Sequence, residues 1–252
     1  MSKFIITATY TLALAVAVAC NASTEPATTG ESSFEPNIIQ PEPPAPVQES
    51  GKNLSYNFDS DAAGSMPAKF HDALTGKGSR GQWAVRADST APSAPNAFAQ
   101  TSADKTSYRF PLAIADEGSF RDLDLSVRFK PISGKVDQAA GLVWRLRDAN
   151  NYYIVRANAL EGNVVLYKVQ NGKRTDLPVK GEGRTYGKKG SVPSGQWSEL
   201  RVVQTGNLAE VFLNGTKLYE VEDETFKDAG KVGLWTKADS VTYFDDLRVT
   251  AK

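Results

Sequence analysis

The sequence predicts an all-β fold: a two-sheet antiparallel jelly-roll β-sandwich over residues 53–252, preceded by a signal peptide and a disordered tether. Three observations carry this prediction. Apolar and polar residues alternate with period 2, Asn-Gly pairs punctuate the alternation, and no long amphipathic helix interrupts it. In Leu123-Asp124-Leu125-Ser126-Val127-Arg128-Phe129 every odd position is apolar and every even one polar, which buries one strand face and wets the other. Further strand-like runs lie at 141–147, 152–158, 164–169, 197–204, 208–213, 217–221, 231–236 and 241–249. Asn171-Gly172 and Asn214-Gly215 each join two such runs, as type I′ hairpin turns require, because both central residues need positive φ. The loops around 77–80 and 89–96, the latter with Pro92 and Pro95, read as crossovers between sheets. An early strand at 54–58 is expected to pair with the last one, bringing the ends of the domain together. Residues 222–228 are expected to give one helical turn at most.

The N-terminus reads as an address. Lys3 precedes an uncharged apolar run at 4–19, which is short for a membrane span and has the layout of a secretory signal. Ala17-Val18-Ala19 followed by Cys20, the one cysteine of the chain, resembles the lipobox of bacterial lipoproteins. That resemblance implies lipidation of Cys20, anchorage to a bilayer in the bacterial cell envelope, and delivery to the outer membrane, since Asn21 is not the Asp-type retention signal. Segment 1–19 is thus the signal and 20–52 the tether. The tether holds six of the thirteen prolines and five Glu against one Lys, a composition that cannot bury enough apolar area to fold.

Removing both segments leaves 27 basic and 24 acidic groups, too even a balance for a nucleic-acid surface. With no cysteine after position 20, the domain rests on packing and hydrogen bonding rather than disulfides.

The segment order carries a resemblance. Phe58-Asp59 near the start, the block from Gly141 to Asn158 (GLVWRLRDANNYYIVRAN), the NVVLYK strand, the QWSELRV strand, the LNG hairpin and the closing GKVGLWTKADSVTYFDDLRV resemble the concanavalin A-like jelly-roll superfamily. Within it, the chain is similar to LamG-like domains and to 3-keto-disaccharide hydrolase-like domains. The resemblance implies the sandwich fold and a carbohydrate or polysaccharide partner. The closing block departs from the keto-disaccharide pattern: Thr236-Lys237-Ala238-Asp239 and Phe244-Asp245-Asp246 stand where a His-Gly pair and a Phe-Arg-Asn ending are expected.

His71 is the only histidine, which excludes a multi-histidine zinc site, and no Glu-x-Asp-x-x-Glu strand pair of carboxylates is present. Alternation places Arg145 and Arg147 on one strand face, Tyr152, Ile154, Arg156 and Asn158 on one face of the next, and Trp235 with Lys237 on the closing block, Asp239 at the turn beyond. If these faces coincide, Arg145, Tyr152, Arg156, Asn158, Trp235, Lys237 and Asp239 make a groove with a stacking ring, guanidinium donors and amides, which suits a sugar. The competing reading is structural: Trp235 joins Trp144 in the core, and Arg145 and Arg156 pair with carboxylates to cover the sheet. Trp83 and Trp197 read as core anchors. Asp59 and Asp246 (or Asp245) meet if the first and last strands pair, and they would then either hold a structural Ca2+ or accept backbone and Arg hydrogen bonds.

Three functions are consistent with these features. The first is a lipid-anchored, non-catalytic carbohydrate-binding domain. The second is a glycoside hydrolase or 3-keto-disaccharide hydrolase or lyase using Asp239 or Glu161 with Tyr152 or Lys237. The third is an envelope module that binds a protein partner.

Overall fold

The computed structural model describes residues 53–252; Cys20, the signal segment 1–19 and the tether 20–52 lie outside the described residues. Sixteen strands follow in order: β1 (Leu54–Tyr56), β2 (Phe70–Gly76), β3 (Trp83–Ala87), β4 (Asn96–Gln100), β5 (Arg109–Ala115), β6 (Leu123–Ser133), β7 (Ala139–Asp148), β8 (Asn151–Asn158), β9 (Asn163–Gln170), β10 (Lys173–Asp176), β11 (Lys188–Lys189), β12 (Ser198–Thr205), β13 (Leu208–Leu213), β14 (Thr216–Glu222), β15 (Lys231–Trp235) and β16 (Val241–Ala251). No helix occurs among the described residues, and 223–228 run as irregular chain rather than a helical turn.

Two eight-stranded antiparallel sheets form the sandwich. One runs β14-β13-β12-β6-β16-β4-β3, with β1 also on β16; the other runs β10-β9-β8-β7-β15-β5-β2, with β11 also on β9. Every ladder between named strands is antiparallel, and consecutive strands often lie in opposite sheets, which is the jelly-roll pattern. The first and last strands pair as expected, Leu54 opposite Val249 and Tyr56 opposite Leu247. Both Asn-Gly hairpins form, with Asn171 and Gly172 at φ 51° and 75° and Asn214 and Gly215 at 49° and 76°.

Alternation decides the core. Leu123, Leu125, Val127 and Phe129 of β6 face Leu142 and Trp144 of β7 and Tyr153 and Val155 of β8 across the sandwich, all buried. Trp83 belongs to this core. Trp197 does not: it is half-buried on the outer side of the first sheet, its ring 5.0 Å from the Lys130 ammonium. Strands β2 to β5 escape a period-2 reading because their faces are not cleanly divided. All seven residues of β5 are buried, so its sequence is a continuous apolar run with one Arg and one Pro.

Candidate functional site

The second sheet has two buried apolar faces. One meets the first sheet; the other carries Phe110, Leu112, Val143, Tyr152, Ile154, Val165, Tyr167 and Trp235. That outer face is concave. β10 and β5 are five ladder steps apart, roughly 24 Å in a flat sheet, yet the Arg174 guanidinium of β10 lies 4.7 Å from the Phe110 ring of β5. The curl is closed by Tyr108, whose hydroxyl donates to Gly172 O and accepts from the Arg174 backbone N–H.

Period 2 puts Tyr152, Arg156, Asn158 and Trp235 on this concave face, but not Arg145. The β7 ladder slips between Trp144 and Asp148, and Arg145 sits in the bulge at φ 45°. Its side chain is thrown to the end of the sandwich, where it donates to Arg121 O, Phe226 O, Gly206 O and the Asp122 carboxylate. Burial presses its pKa down and Asp122 opposes this. Arg145 is thus a structural bolt. It lines a cavity of about 420 Å³ with Asp122, Gly206, Asp223 and Lys227. Two of its acidic walls are tied to the fold: Asp223 accepts from Tyr153 and Lys168, and Asp122 from Arg145 and the Gly206 N–H.

Trp235 is on the concave face but sealed. It is fully buried, stacked on Phe110 at 5.2 Å with 21° between planes, and roofed by Arg174. It cannot serve as an open sugar platform in this conformation. Tyr152, also fully buried, has its hydroxyl 2.8 Å from that of Thr75, and burial pushes its pKa up.

At the far end of the same face, the polar side chains converge. β8 ends, β9 begins, the chain enters β7 and leaves β15 at one place, and these four termini carry Arg156, Asn158, Asn163, Asp137 and Lys237. Arg156, with no exposed surface, donates to Asn163 Oδ1, to Glu161 Oε2 (2.7 Å) and to the hydroxyls of Tyr167 and Tyr186. Its pKa is raised: burial acts against the charge, but Tyr167 and Glu161 outweigh it. Asn158 Nδ2 bridges two carboxylates, 2.6 Å from Asp137 Oδ1 and 3.1 Å from Glu161 Oε1, so those oxygens lie no more than about 6 Å apart. Lys237 forms an ion pair with Asp137.

The two carboxyls are driven in opposite directions. Burial raises Asp137 against the pull of Lys237. Partial burial would also raise Glu161, but the Arg156 guanidinium overrides it and holds the carboxyl below its usual range. Asp239 plays a different part: its carboxylate accepts the backbone N–H groups of Lys135, Val136 and Asp137, which fixes the loop that presents Asp137. Those bonds overcome burial and keep Asp239 low. The rim is apolar and open, with Tyr186 44 %, Leu160 52 % and Val136 52 % exposed.

Of the seven groove residues expected from sequence, Arg156, Asn158 and Lys237 meet here directly and Asp239 supports them. Tyr152 and Trp235 occupy the closed part of the face, and Arg145 lies elsewhere. Asp137 and Tyr186 escape sequence reasoning because they sit in loops without periodicity, and Asn163 because it opens β9 just past the Glu161-Gly162 turn, which is the one available signal.

The first and last strands do bring Asp59 and Asp246 to a common loop, but as hydrogen-bond acceptors. Asp59 Oδ1 takes the Asn96 N–H, and Asp246 Oδ1 takes Ser93 Oγ and Arg248 Nη2. Among the described residues no group of three or more His, Cys, Asp or Glu could hold a metal ion.

Residues 75–250 match the family described as the 3-keto-alpha-glucoside-1,2-lyase-like domain. The chain belongs to this family. No curated protein matches it. Among solved structures, the lyase-like domain is similar to the carbohydrate-binding module CBM66 from Bacillus subtilis, with 18% identity and TM-score 0.53 over 71% of this chain and 95% of that one. It is also similar to the cellulose-induced protein Cip1, with 13% identity and TM-score 0.58 over 79% and 97%. A third likeness, at 13% identity and TM-score 0.51, is to the GH43 protein BlXynB from Bacillus licheniformis; it covers 79% of this chain but only 39% of that longer one. At these identities the shared feature is the jelly-roll fold.

Proposed function

We propose that this protein is an exported, lipid-anchored envelope protein whose lyase-like domain binds carbohydrate at the Arg156–Glu161–Lys237 end of the concave face. One observation carries the reading: Arg156, Asn158, Asp137, Glu161 and Lys237 form a single connected polar network beneath the exposed Tyr186 ring. The partly exposed Glu161 and Lys237, held in place by the buried Arg156 and Asn158 beside the Tyr186 rim, match a pyranose, whose hydroxyls take directional hydrogen bonds and whose C–H face packs on a ring. Related folds in a carbohydrate-binding module and a glycoside-hydrolase chain support a sugar partner. The anchor rests on Cys20 and the apolar run before it, and the outer membrane is the expected destination.

The test is titration of the full-length protein in detergent with an oligosaccharide panel, comparing wild type with Glu161→Gln. A weakening of about tenfold or more on substitution supports the site; unchanged affinity would sink it. Mass spectrometry of the mature N-terminus checks lipidation of Cys20.

A second reading, catalysis, is favoured by the carboxyl pair. Burial pushes the Asp137 carboxyl up while Arg156 holds Glu161 down, the kind of divergence by which two carboxyls divide acid and base roles at a sugar carbon. Release of keto-sugar products or new reducing ends from the same panel would establish it. Binding without turnover would leave the non-catalytic reading in place.

A further inference from the structure

Arg174 is a cation without an anion. Its guanidinium carbon lies 4.4 Å from the Tyr167 ring centroid, 4.7 Å from Phe110 and 5.8 Å from Trp235. Among the described residues it forms no ion pair, its guanidinium donates no hydrogen bond, and Nη1 is buried with no acceptor. Nearby carboxylates are committed elsewhere: Glu161 to Arg156, Asp137 to Lys237 and Asp176 to Arg184. Two more donors on this face are orphaned, Trp235 Nε1 and Arg156 Nε, both on side chains with no exposed surface. A buried N–H without a partner is destabilising, more so when the group is charged. Of these donors, Arg174 alone is on a half-buried side chain that a ligand can reach, so the face presents a cation lying on aromatic rings with no carboxylate of its own.

We propose that the concave face selects an anionic glycan, with a carboxylate or sulfate group of the sugar on Arg174 and its hydroxyls directed to the Arg156 end. Arg156 and Arg174 flank the same Tyr167 ring, at 5.8 and 4.4 Å from its centroid, so their guanidinium carbons are no more than about 10 Å apart and a short oligosaccharide spans both. A planar guanidinium takes an oxyanion through two parallel N–H donors, and the partly dry setting strengthens that bond. The inference rests on the carbohydrate reading above and adds the charge of the ligand.

The experiment uses full-length protein in detergent and three probes of matched length: a uronate oligosaccharide, a sulfated galactan oligosaccharide and a neutral galactan oligosaccharide. The expected result is binding of one or both charged probes at least tenfold tighter than the neutral one, with the margin shrinking when salt rises from about 50 to about 500 mM. The tighter of the two charged probes identifies the source of the oxyanion. Arg174→Gln should bring the ratio of charged to neutral affinity close to one. Arg174→Met, which keeps an apolar stem over the rings and so protects the fold, should do the same, while Arg174→Lys retains part of the preference. Neutral and charged probes bound equally by wild type, or a preference that survives Arg174→Met, would overturn this proposal and leave carbohydrate binding intact. Binding of none of the three probes would overturn both.

Discussion

Arg156 reaches four side chains from one guanidinium, so its replacement removes more than a charge. Arg156→Met removes all four bonds at once, although Tyr186 still reaches Tyr167 and Asn158 and Asn163 still reach Glu161; breaking this ion pair, buried on the arginine side, costs about 3 kcal/mol. We expect a fall in urea midpoint of that order. Glu161→Gln leaves the fully buried Arg156 cation without its carboxylate and should also lower the midpoint, by less than Arg156→Met because the amide oxygen still accepts from Arg156, while weakening saccharide binding. The contrast between the two midpoints checks whether the arginine or the carboxylate holds the site together. At this scale the sequence was legible where strands carry the residue. Arg156 and Asn158 share a face by simple alternation, and both meet the site. Asp137 was illegible, because its position depends on Asp239 capping three backbone amides about a hundred residues away, and no local pattern encodes that.

The bulge in β7 shows how one element can defeat a correct periodicity. The count from Gly141 to Trp144 holds, and the slip after Trp144 sends Arg145 off the face it was expected to share with Arg147. Gly230 is the partner of that slip. A Cβ there would lie 2.4 Å from Arg145 C and 2.6 Å from Leu146 N, backbone atoms that cannot swing away. Gly230→Ala should therefore destabilise by about 3 kcal/mol or more. Gly215→Ala, in a hairpin turn with open space around it but φ 76°, should cost only about 1–2 kcal/mol from left-handed strain. Chemical denaturation of the two variants compares steric with conformational cost. The Asn-Gly turns were readable in sequence because they need a particular φ; the β7 bulge was not, because tertiary contacts through Arg145 enforce it.

Across the whole molecule, pH dependence is set by carboxylates that burial treats differently. Asp245 has no exposed surface; burial pushes it up to about 6, helped by Asp246 and Asp59 and opposed by N–H bonds from Ser93 and Asp246. Its folded-state pKa exceeds the unfolded value of about 4, so the stability it contributes is complete below pH 4 and drains away as pH rises through 6. Between pH 5 and pH 8 the loss should be about 1–2 kcal/mol. Asp245→Asn should flatten that slope in urea midpoints taken across the range; a slope identical to wild type would contradict the assignment. The two-sheet architecture was legible as a whole since its evidence is repeated in many strands, whereas the closure of the concave face by Tyr108 and Arg174 is a single event between distant loops.

The pairing of β1 with β16, with Ala251 N–H donating to Asn53 Oδ1, leaves the first and last described residues side by side. A polypeptide whose ends touch has no privileged starting point. Joining position 252 to 53 through a few glycines and reopening the chain between Asn214 and Gly215, at a turn where added atoms meet nothing, should yield a circular permutant with the same sandwich.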